Sequence, residues 1–201
     1  METLSLLGVA LGFATLSGIN LYLTTFLAGM AIRFNWLDLA EKYDSLAILA
    51  NPWIIGVAGV LFLLEFFADK IPWLDSSWDA IHTFIRPVGG TLLALAALGE
   101  MDPAIAVIAA LLSGGTTLLT HATKASSRLL INMSPEPVSN VVASLGEDGV
   151  VIAGLGLMVF APVAAFFVFL AVVLIAVWLS RKTFGTIRRG YSALRNKNKA
   201  V

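Results

Sequence analysis

Apolar segments long enough to cross a lipid bilayer are the feature that most constrains how this chain can fold. Hydrophobic residues make up 58% of the sequence and charged residues only 13%, whereas about a quarter of the residues in a soluble domain are charged. A helix needs roughly 20 apolar residues to cross about 30 Å of hydrocarbon. The segments lack the alternation of a closed barrel, so they predict helices. We therefore expect an all-α, polytopic helical membrane protein.

About five membrane segments are predicted within a single transmembrane domain, residues 1–180, followed by a basic tail, residues 181–201. The segments cover approximately residues 4–32, 52–68, 84–98, 103–121 and 150–180. The first segment begins with Met1 and Glu2 and has no basic n-region. It is therefore interpreted as a retained membrane helix and not as a secretory signal.

The basic tail sets the expected orientation of the chain. Seven of the thirteen Lys and Arg residues of the whole chain lie in residues 181–201, directly after the last apolar segment. Such a cluster predicts a cytoplasmic C-terminus and an attraction to anionic lipid. With segment 84–98 crossing the membrane, this orientation puts residues 65–86 on the outer face. If that short segment does not cross, the sides upstream of it invert.

The first apolar segment is longer than one span requires, and small and polar residues interrupt it. It is either one long tilted helix or a broken or re-entrant pair of helices. Residues 110–114 (ALLSG) resemble residues 14–18 (ATLSG), 96 positions earlier. Gly-interrupted segments in two halves are typical of an internal transporter repeat, and ordinary small-residue helix packing is the alternative. The candidate helix-break residues are Ser17, Asn20, Ser113, Thr116 and Thr117.

A charged segment, residues 65–86, separates two apolar ones. Helical spacing predicts an amphipathic helix that lies in the membrane interface, with Pro87 turning the chain into the next span. A surface connector with solvated charges is the alternative. The charged face comprises Asp75, Asp79, His82 and Arg86. The apolar face beside it comprises Leu74, Trp78, Ile81 and Ile85.

The acids of this segment need a positive partner. Glu65 and Asp69 are spaced i,i+4, and so are Asp75 and Asp79, so each pair would repel in isolation. The helix from residue 103 supplies a polar stripe within about 100° of arc that becomes cationic toward its end. The stripe comprises Ser113, Thr117, Thr120, His121, Lys124 and Arg128. We therefore expect the acids to lie close to the basic end of this stripe.

Two interpretations of the resulting cluster stay open. It is either a structural ion-pair network that locks helices together, or a site for an ion, a proton or a polar headgroup. The candidate substrate or ion site comprises Glu65, Asp69, Asp79, His82, Arg86, His121, Lys124 and Arg128. Residues 132–140, with two prolines, predict a loop, from which Glu136 and Asn140 could also reach the cluster.

Five segments in combination resemble the bacterial membrane family known as domain of unknown function 4126. They are residues 20–23 (NLYL), 65–72 (EFFADKIP), 78–87 (WDAIHTFIRP), 121–125 (HATKA) and 134–140 (SPEPVSN). The resemblance covers nearly the whole chain except the basic tail. It implies a protein of the bacterial inner (cytoplasmic) membrane, and it brings no activity with it.

Missing motifs narrow the function. The sequence has no Cys and only two His, and it has no Walker loop, dinucleotide fingerprint, HExxH pair or GxSxG elbow. No cofactor is therefore predicted. A weaker expectation is an oxygen-rich divalent metal site. Its candidate ligands are Glu65, Asp69, Asp75 and Asp79.

Three classes of function remain at this point. Passage of a small solute, ion or lipid headgroup through a polar intramembrane site is favoured. The alternatives are an accessory or assembly subunit of a membrane complex and, less favoured, a metal-dependent enzyme acting on lipid headgroups. The expected partners are the lipid bilayer and either further copies of the chain or a membrane complex. No nucleic-acid partner is expected.

Overall fold

A computed structural model describes residues 2–36, 44–133 and 138–197. This part of the chain forms helices and no strand, which confirms the all-α prediction. The helices are α1 (Glu2–Arg33), a 3₁₀ helix (Asp44–Ala50), α2 (Pro52–Ala68), α3 (Pro72–Leu98), α4 (Pro103–Asn132), α5 (Val138–Phe160) and α6 (Pro162–Lys197).

Five helices are long and apolar enough to cross a membrane: α1, α3, α4, α5 and the first part of α6. The 3₁₀ helix and α2, bent by 65° at their junction, pass the same test as a pair. Large apolar side chains cover the outside of the bundle; Phe84, Leu111 and Leu130 are 79%, 73% and 73% exposed. Such a surface would aggregate in water and is stable in lipid. The protein is therefore a polytopic integral membrane protein.

Helix α1 forms the centre of the bundle and packs against every other helix. Its side chains Val9, Phe13 and Leu16 have no exposed surface. Small residues allow the close contacts. A Cβ atom added to Gly18 would lie 2.6 Å from the carbonyl oxygen of Thr117 on α4, so only glycine permits this approach of the two backbones.

The backbone of α1 leaves the helical conformation at Asn20, where φ is −150° and ψ is 99°. Of the alternatives left open by the sequence, the structure therefore shows a broken first helix. The Asn20 side chain caps the second half, because its Oδ1 accepts a hydrogen bond from the amide of Leu23 at 2.9 Å. The corresponding residues 113–116 do not interrupt α4, which is continuous from Pro103 to Asn132.

The structure corrects the prediction of a separate interfacial helix. Residues 72–86 are the first half of α3, which continues through Pro87 to Leu98. The charged face predicted to lie at the membrane surface points into the bundle, where Asp75 and Arg86 are fully buried. The physical reason is that lipid cannot solvate these charges, whereas facing helices can pair with them. The apolar face, including Ile81 at 57% exposure, points outward instead.

The last predicted segment, residues 150–180, is also corrected. It forms two helices, α5 and α6, that meet at Ala161 and Pro162. As one helix the segment would be about 46 Å long, well beyond the hydrocarbon thickness. Pro162 suits the first position of a helix, where no amide hydrogen is needed.

Because residues 138–182 form two helices, α5 and α6, where one span was predicted, the expected membrane sides of the preceding helices change. If α3, α4, α5 and α6 each cross once, the start of α3, the end of α4 and the start of α5 share the side of the C-terminal tail. Residues 99–102, which lie between the predicted segments 84–98 and 103–121, separate α3 from α4. Gly99 adopts a positive φ of 71°, and Asp102 caps α4 by accepting from the amide of Ala104.

Candidate functional site

Seven charged side chains from α2 and its C-terminal cap, α3, α4 and α5 form one continuous set of ion pairs, which we call the ionic network. Seven contacts of 2.6–3.5 Å join four carboxylates to three basic groups. All except Glu147 are buried, and the Glu147 side chain retains 20% exposure. The members are Glu65, Asp69, Asp79, Arg86, Lys124, Arg128 and Glu147.

Arg86 on α3 makes the shortest ion pair, with its Nη2 donating to Glu65 Oε1 at 2.6 Å. Its Nη1 donates to the carbonyl of Gly18 at 3.1 Å and to Nδ1 of His121 at 2.6 Å. Asp79 is a more distant partner, with 3.5 Å between its Oδ1 and the same Nη1. Arg86 therefore favours Glu65 over Asp79.

The two basic residues of α4 bind the remaining acids. Nζ of Lys124 lies 3.5 Å from both Glu65 and Asp69 and 3.3 Å from Glu147. Arg128 donates to Asp69 Oδ2 at 3.2 Å, and its Nε and Nη2 each lie 3.0 Å from one oxygen of Glu147. These contacts connect α2 and α5 through α4.

The break in α1 contributes backbone atoms to the same site. The carbonyl of Gly18 accepts from Arg86, and that of Ile19 accepts from Lys124 Nζ at 3.1 Å. These carbonyls end the first half of α1, where the helix dipole favours cations. Broken helices whose free backbone groups coordinate charges are a feature of ion-coupled transporters.

Hydrogen bonding fixes the tautomers of both histidines. His121 accepts from Arg86 at Nδ1, so its Nε2 carries the hydrogen and donates to the carbonyl of Asp79 at 3.0 Å. His82 bonds the carbonyl of Trp78 through Nδ1 at 2.7 Å, so its Nε2 accepts from the Tyr22 hydroxyl at 2.8 Å. The His121 imidazole must therefore be neutral, and His82 is neutral when the Tyr22 hydroxyl is the donor.

Two further carboxylates adjoin the ionic network without a basic partner within ion-pair distance among the described residues. Asp75 accepts from Asn132 Nδ2 at 2.7 Å, and Asp148 accepts from Asn20 Nδ2 at 3.1 Å. Six carboxylates, four of them buried and Glu147 and Asp148 partly buried, therefore accompany only three basic groups, all of which are buried. Five buried carboxylate oxygens also lack a hydrogen-bond partner: Glu65 Oε2, Asp69 Oδ1, Asp75 Oδ1, and Oδ1 and Oδ2 of Asp79.

Lys70, in the short connection between α2 and α3, does not supply the missing positive charge. Its Nζ donates to the carbonyl of Phe66 at 2.8 Å and lies 3.0 Å from the centroid of the Phe66 ring. Desolvation by burial lowers the pKa of Lys70. A cation held over an aromatic ring in this way contributes to local packing and not to the ionic network.

The structure brings together the eight residues proposed from the sequence as a substrate or ion site. Six of them belong to the ionic network, and His121 forms a hydrogen bond with Arg86. His82 lies on the same face of α3 as Asp79 and forms a hydrogen bond with Tyr22. The predicted helix-break residues of α4 lie elsewhere. Thr117 donates to the carbonyl of Ala14, Ser113 bonds within its own helix, and Thr116 accepts from Thr120 through its carbonyl.

Sequence reasoning missed the contribution of α5. The last predicted segment began only at residue 150, whereas α5 already begins at Val138 and carries Glu147 and Asp148 in its third turn. Asn140 does reach the site, since its carbonyl accepts from Arg128 at 3.0 Å. The helical spacing of Asn140, Ser144 and Glu147 was the available signal. Glu136 lies outside the described residues.

The weaker expectation of a metal site gains no support. Within residues 2–36, 44–133 and 138–197, no group of three or more His, Asp or Glu side chains could hold a metal ion. Basic groups separate the candidate carboxylates, since Arg86 lies between Glu65 and Asp79 and Lys124 binds both Glu65 and Asp69.

Comparison with known proteins gives one match. A family model described as a domain of unknown function, DUF4126, matches residues 7–182. No curated protein and no solved structure matches the chain. The match covers the bundle and the whole ionic network.

Proposed function

Because this chain belongs to the DUF4126 family, whose description assigns no activity, we propose its function from the ionic network alone: it passes protons or small monovalent cations across the membrane. The observation that carries the proposal is the charge imbalance in a buried site. Unpaired buried carboxylates are strongly disfavoured in the ionised state. Protons or cations must therefore bind to these carboxylates. Release of a bound proton or cation on one side of the membrane and uptake from the other is the proposed basis of passage.

The unsatisfied atoms indicate the charge of the guest. Within the ionic network, four carboxylate oxygens lack a hydrogen-bond partner, on Glu65, Asp69 and Asp79, against two nitrogen donors, Nε of Arg86 and of Arg128. Carboxylate oxygens accept hydrogen bonds or bind cations. An anionic headgroup would have to compete with the carboxylates that all three basic side chains already contact. A positively charged guest therefore fits this site better than an anionic one.

Asp79 is the best candidate for the exchanging carboxylate. Both of its oxygens lack a hydrogen-bond partner although the residue is only 4% exposed. Its one ion pair, 3.5 Å to Arg86, is longer than that between Arg86 and Glu65. Protonation of Asp79 thus removes an excess charge and sacrifices little pairing energy.

Broken helix α1 is the proposed moving element. The break places backbone carbonyls against Arg86 and Lys124, and Asn20 ties the break to Asp148. Charge changes in the network would therefore act directly on the hinge of the central helix. We further propose an inner-membrane location with a cytoplasmic C-terminus. The ionic network then lies toward the cytoplasmic side.

The proposal is tested by ion flux into proteoliposomes. Vesicles containing the purified protein and a trapped pH dye are given a potassium diffusion potential, and proton uptake is recorded. Sodium uptake is followed in parallel with a sodium dye. The wild-type protein is expected to carry one of these ions faster than empty vesicles, and Asp79→Asn is expected to lose at least tenfold of that flux.

Glu100→Gln is the matched control, because Glu100 is an exposed carboxylate in the turn between α3 and α4. It is expected to retain wild-type flux. Wild-type vesicles that pass neither ion, or Asp79→Asn vesicles with undiminished flux, would overturn the proposal. A network that is purely structural gives the first of these results.

A further inference from the structure

An apolar groove opens on one side of the bundle. It lies between the second half of α1, the 3₁₀ helix, α2 and the C-terminal half of α3, and has a volume of about 580 Å³. Its walls are almost entirely apolar, including Leu21, Val57, Leu61, Leu92 and Ala96. This volume lies within the range of small-molecule binding sites.

The groove has a polar end and an aromatic rim. Leu49 and Trp53 line it at the end where Arg33 closes α1. Arg33 is exposed and donates to the carbonyl of Ala50 at 3.1 Å. Trp53 is 82% exposed, and tryptophan prefers the level of lipid headgroups. Tyr22, roughly 16 Å from Arg33 along α1, lines the groove deeper in the bundle.

We propose that this groove binds one acyl chain of an anionic phospholipid, with the lipid phosphate at Arg33. An acyl chain gains little by moving from bulk lipid to an apolar groove, because both surroundings are equally apolar. Selectivity for one lipid must therefore come from the headgroup. An exposed guanidinium at the groove's end supplies it, since arginine binds phosphate through two parallel hydrogen bonds.

The bound chain would also contact the candidate ion site indirectly. Tyr22 lines the groove with its ring, and its hydroxyl donates to Nε2 of His82 at 2.8 Å. The proposed lipid site does not depend on ion passage, because it is formed by the shape of the groove and the position of Arg33.

The test measures lipid retention by native mass spectrometry. Purified protein is reconstituted with an equal mixture of phosphatidylglycerol and phosphatidylcholine, extracted in mild detergent, and analysed for bound lipid. The wild-type protein is expected to retain one phosphatidylglycerol in preference to phosphatidylcholine. Arg33→Gln is expected to reduce this preference about fivefold, the effect of one basic side chain near an anionic surface.

Filling the groove tests the acyl chain separately. Ala96→Phe should abolish retention of the lipid, and Val57→Phe, at a position 57% exposed and therefore tolerant of a larger side chain, should do the same. Arg181→Gln is the control for charge, and Leu111→Phe, at an outward position of α4 that is 73% exposed, is the control for added apolar volume.

Unchanged phosphatidylglycerol retention in both groove-filling variants would overturn the proposal, as would an equal loss of preference in Arg181→Gln and Arg33→Gln. A second copy of the chain in the groove would also overturn it. That arrangement appears as a dimer mass in the wild type that Val57→Phe converts to a monomer.

Discussion

Replacing a carboxylate by its amide should change the stability of the protein by very different amounts at two positions of the ionic network. Glu65 and Asp79 both contact Arg86, and both are buried. Glu65 forms the 2.6 Å pair and also lies 3.5 Å from Lys124. Asp79 has one pair at 3.5 Å and two oxygens without hydrogen bonds. Glu65→Gln therefore removes a pair, and Asp79→Asn removes an excess charge.

The structure sets the expected magnitudes. Removing one partner of a buried ion pair costs roughly 3–5 kcal/mol, because the other charge is left uncompensated. Asp79 remains 3.5 Å from Arg86 in the Glu65→Gln variant, so the low end of that range, about 3 kcal/mol, is expected. Asp79→Asn should change the free energy of unfolding by less than about 1 kcal/mol, because it leaves Arg86 paired with Glu65.

Thermal unfolding in one detergent at pH 7.5, followed by tryptophan fluorescence, distinguishes these values. A loss of about 3 kcal/mol corresponds to a decrease in Tm of roughly 6–12 °C for a domain of this size. Asp79→Asn should melt within about 3 °C of the wild type or above it. The double variant Glu65→Gln/Arg86→Gln should lose less than the sum of the two single variants, because the residues are in contact.

Equal destabilisation by Glu65→Gln and Asp79→Asn would refute the argument, since it would mean that both carboxylates are needed to balance the basic groups. A Glu65→Gln protein that melts like the wild type would refute it in a different way. The pair would then not be isolated from water, and burial could not force the excess carboxylates to bind protons or cations.

Packing and hydrogen bonding give two more predictions. Gly18→Ala should lower stability by about 1–3 kcal/mol, because the new Cβ would lie 2.6 Å from the carbonyl of Thr117; Gly115→Ala, which has open space around it, should be neutral or stabilising in the same melting assay. Tyr22→Phe should cost about 1 kcal/mol, because it removes the donor to His82 Nε2, and a loss below about 0.3 kcal/mol would show that this hydrogen bond does not contribute.

The sequence predicted which residues form the charged cluster, but it did not predict what surrounds them. Helical spacing placed Asp75, Asp79, His82 and Arg86 on one face, and that face exists in α3. Periodicity specifies which residues share a face, but it does not say whether the face meets solvent, lipid or another helix. The face was therefore assigned to the membrane surface, whereas it is buried against α1 and α4.

The predictions of helix boundaries were wrong at two prolines. Pro87 was expected to end a helix, but α3 continues through it; Pro162 lay within a predicted span, but it separates α5 from α6. Proline removes one backbone hydrogen bond in both places. Neighbouring helices decide whether that loss is tolerated inside a helix or becomes a helix start.

The sequence by itself determined that this chain is an all-α integral membrane protein, because the length of an apolar segment is a local property, and it marked Asn20 as a candidate position for a helix break. Only the tertiary structure decided that six carboxylates meet three basic groups, that Glu147 of α5 completes the ionic network, and that a groove opens beside α2. Charge balance and cavities depend on contacts between residues distant in the chain. No local pattern specifies such contacts, so the imbalance on which the proposed function rests could be seen only in the folded protein.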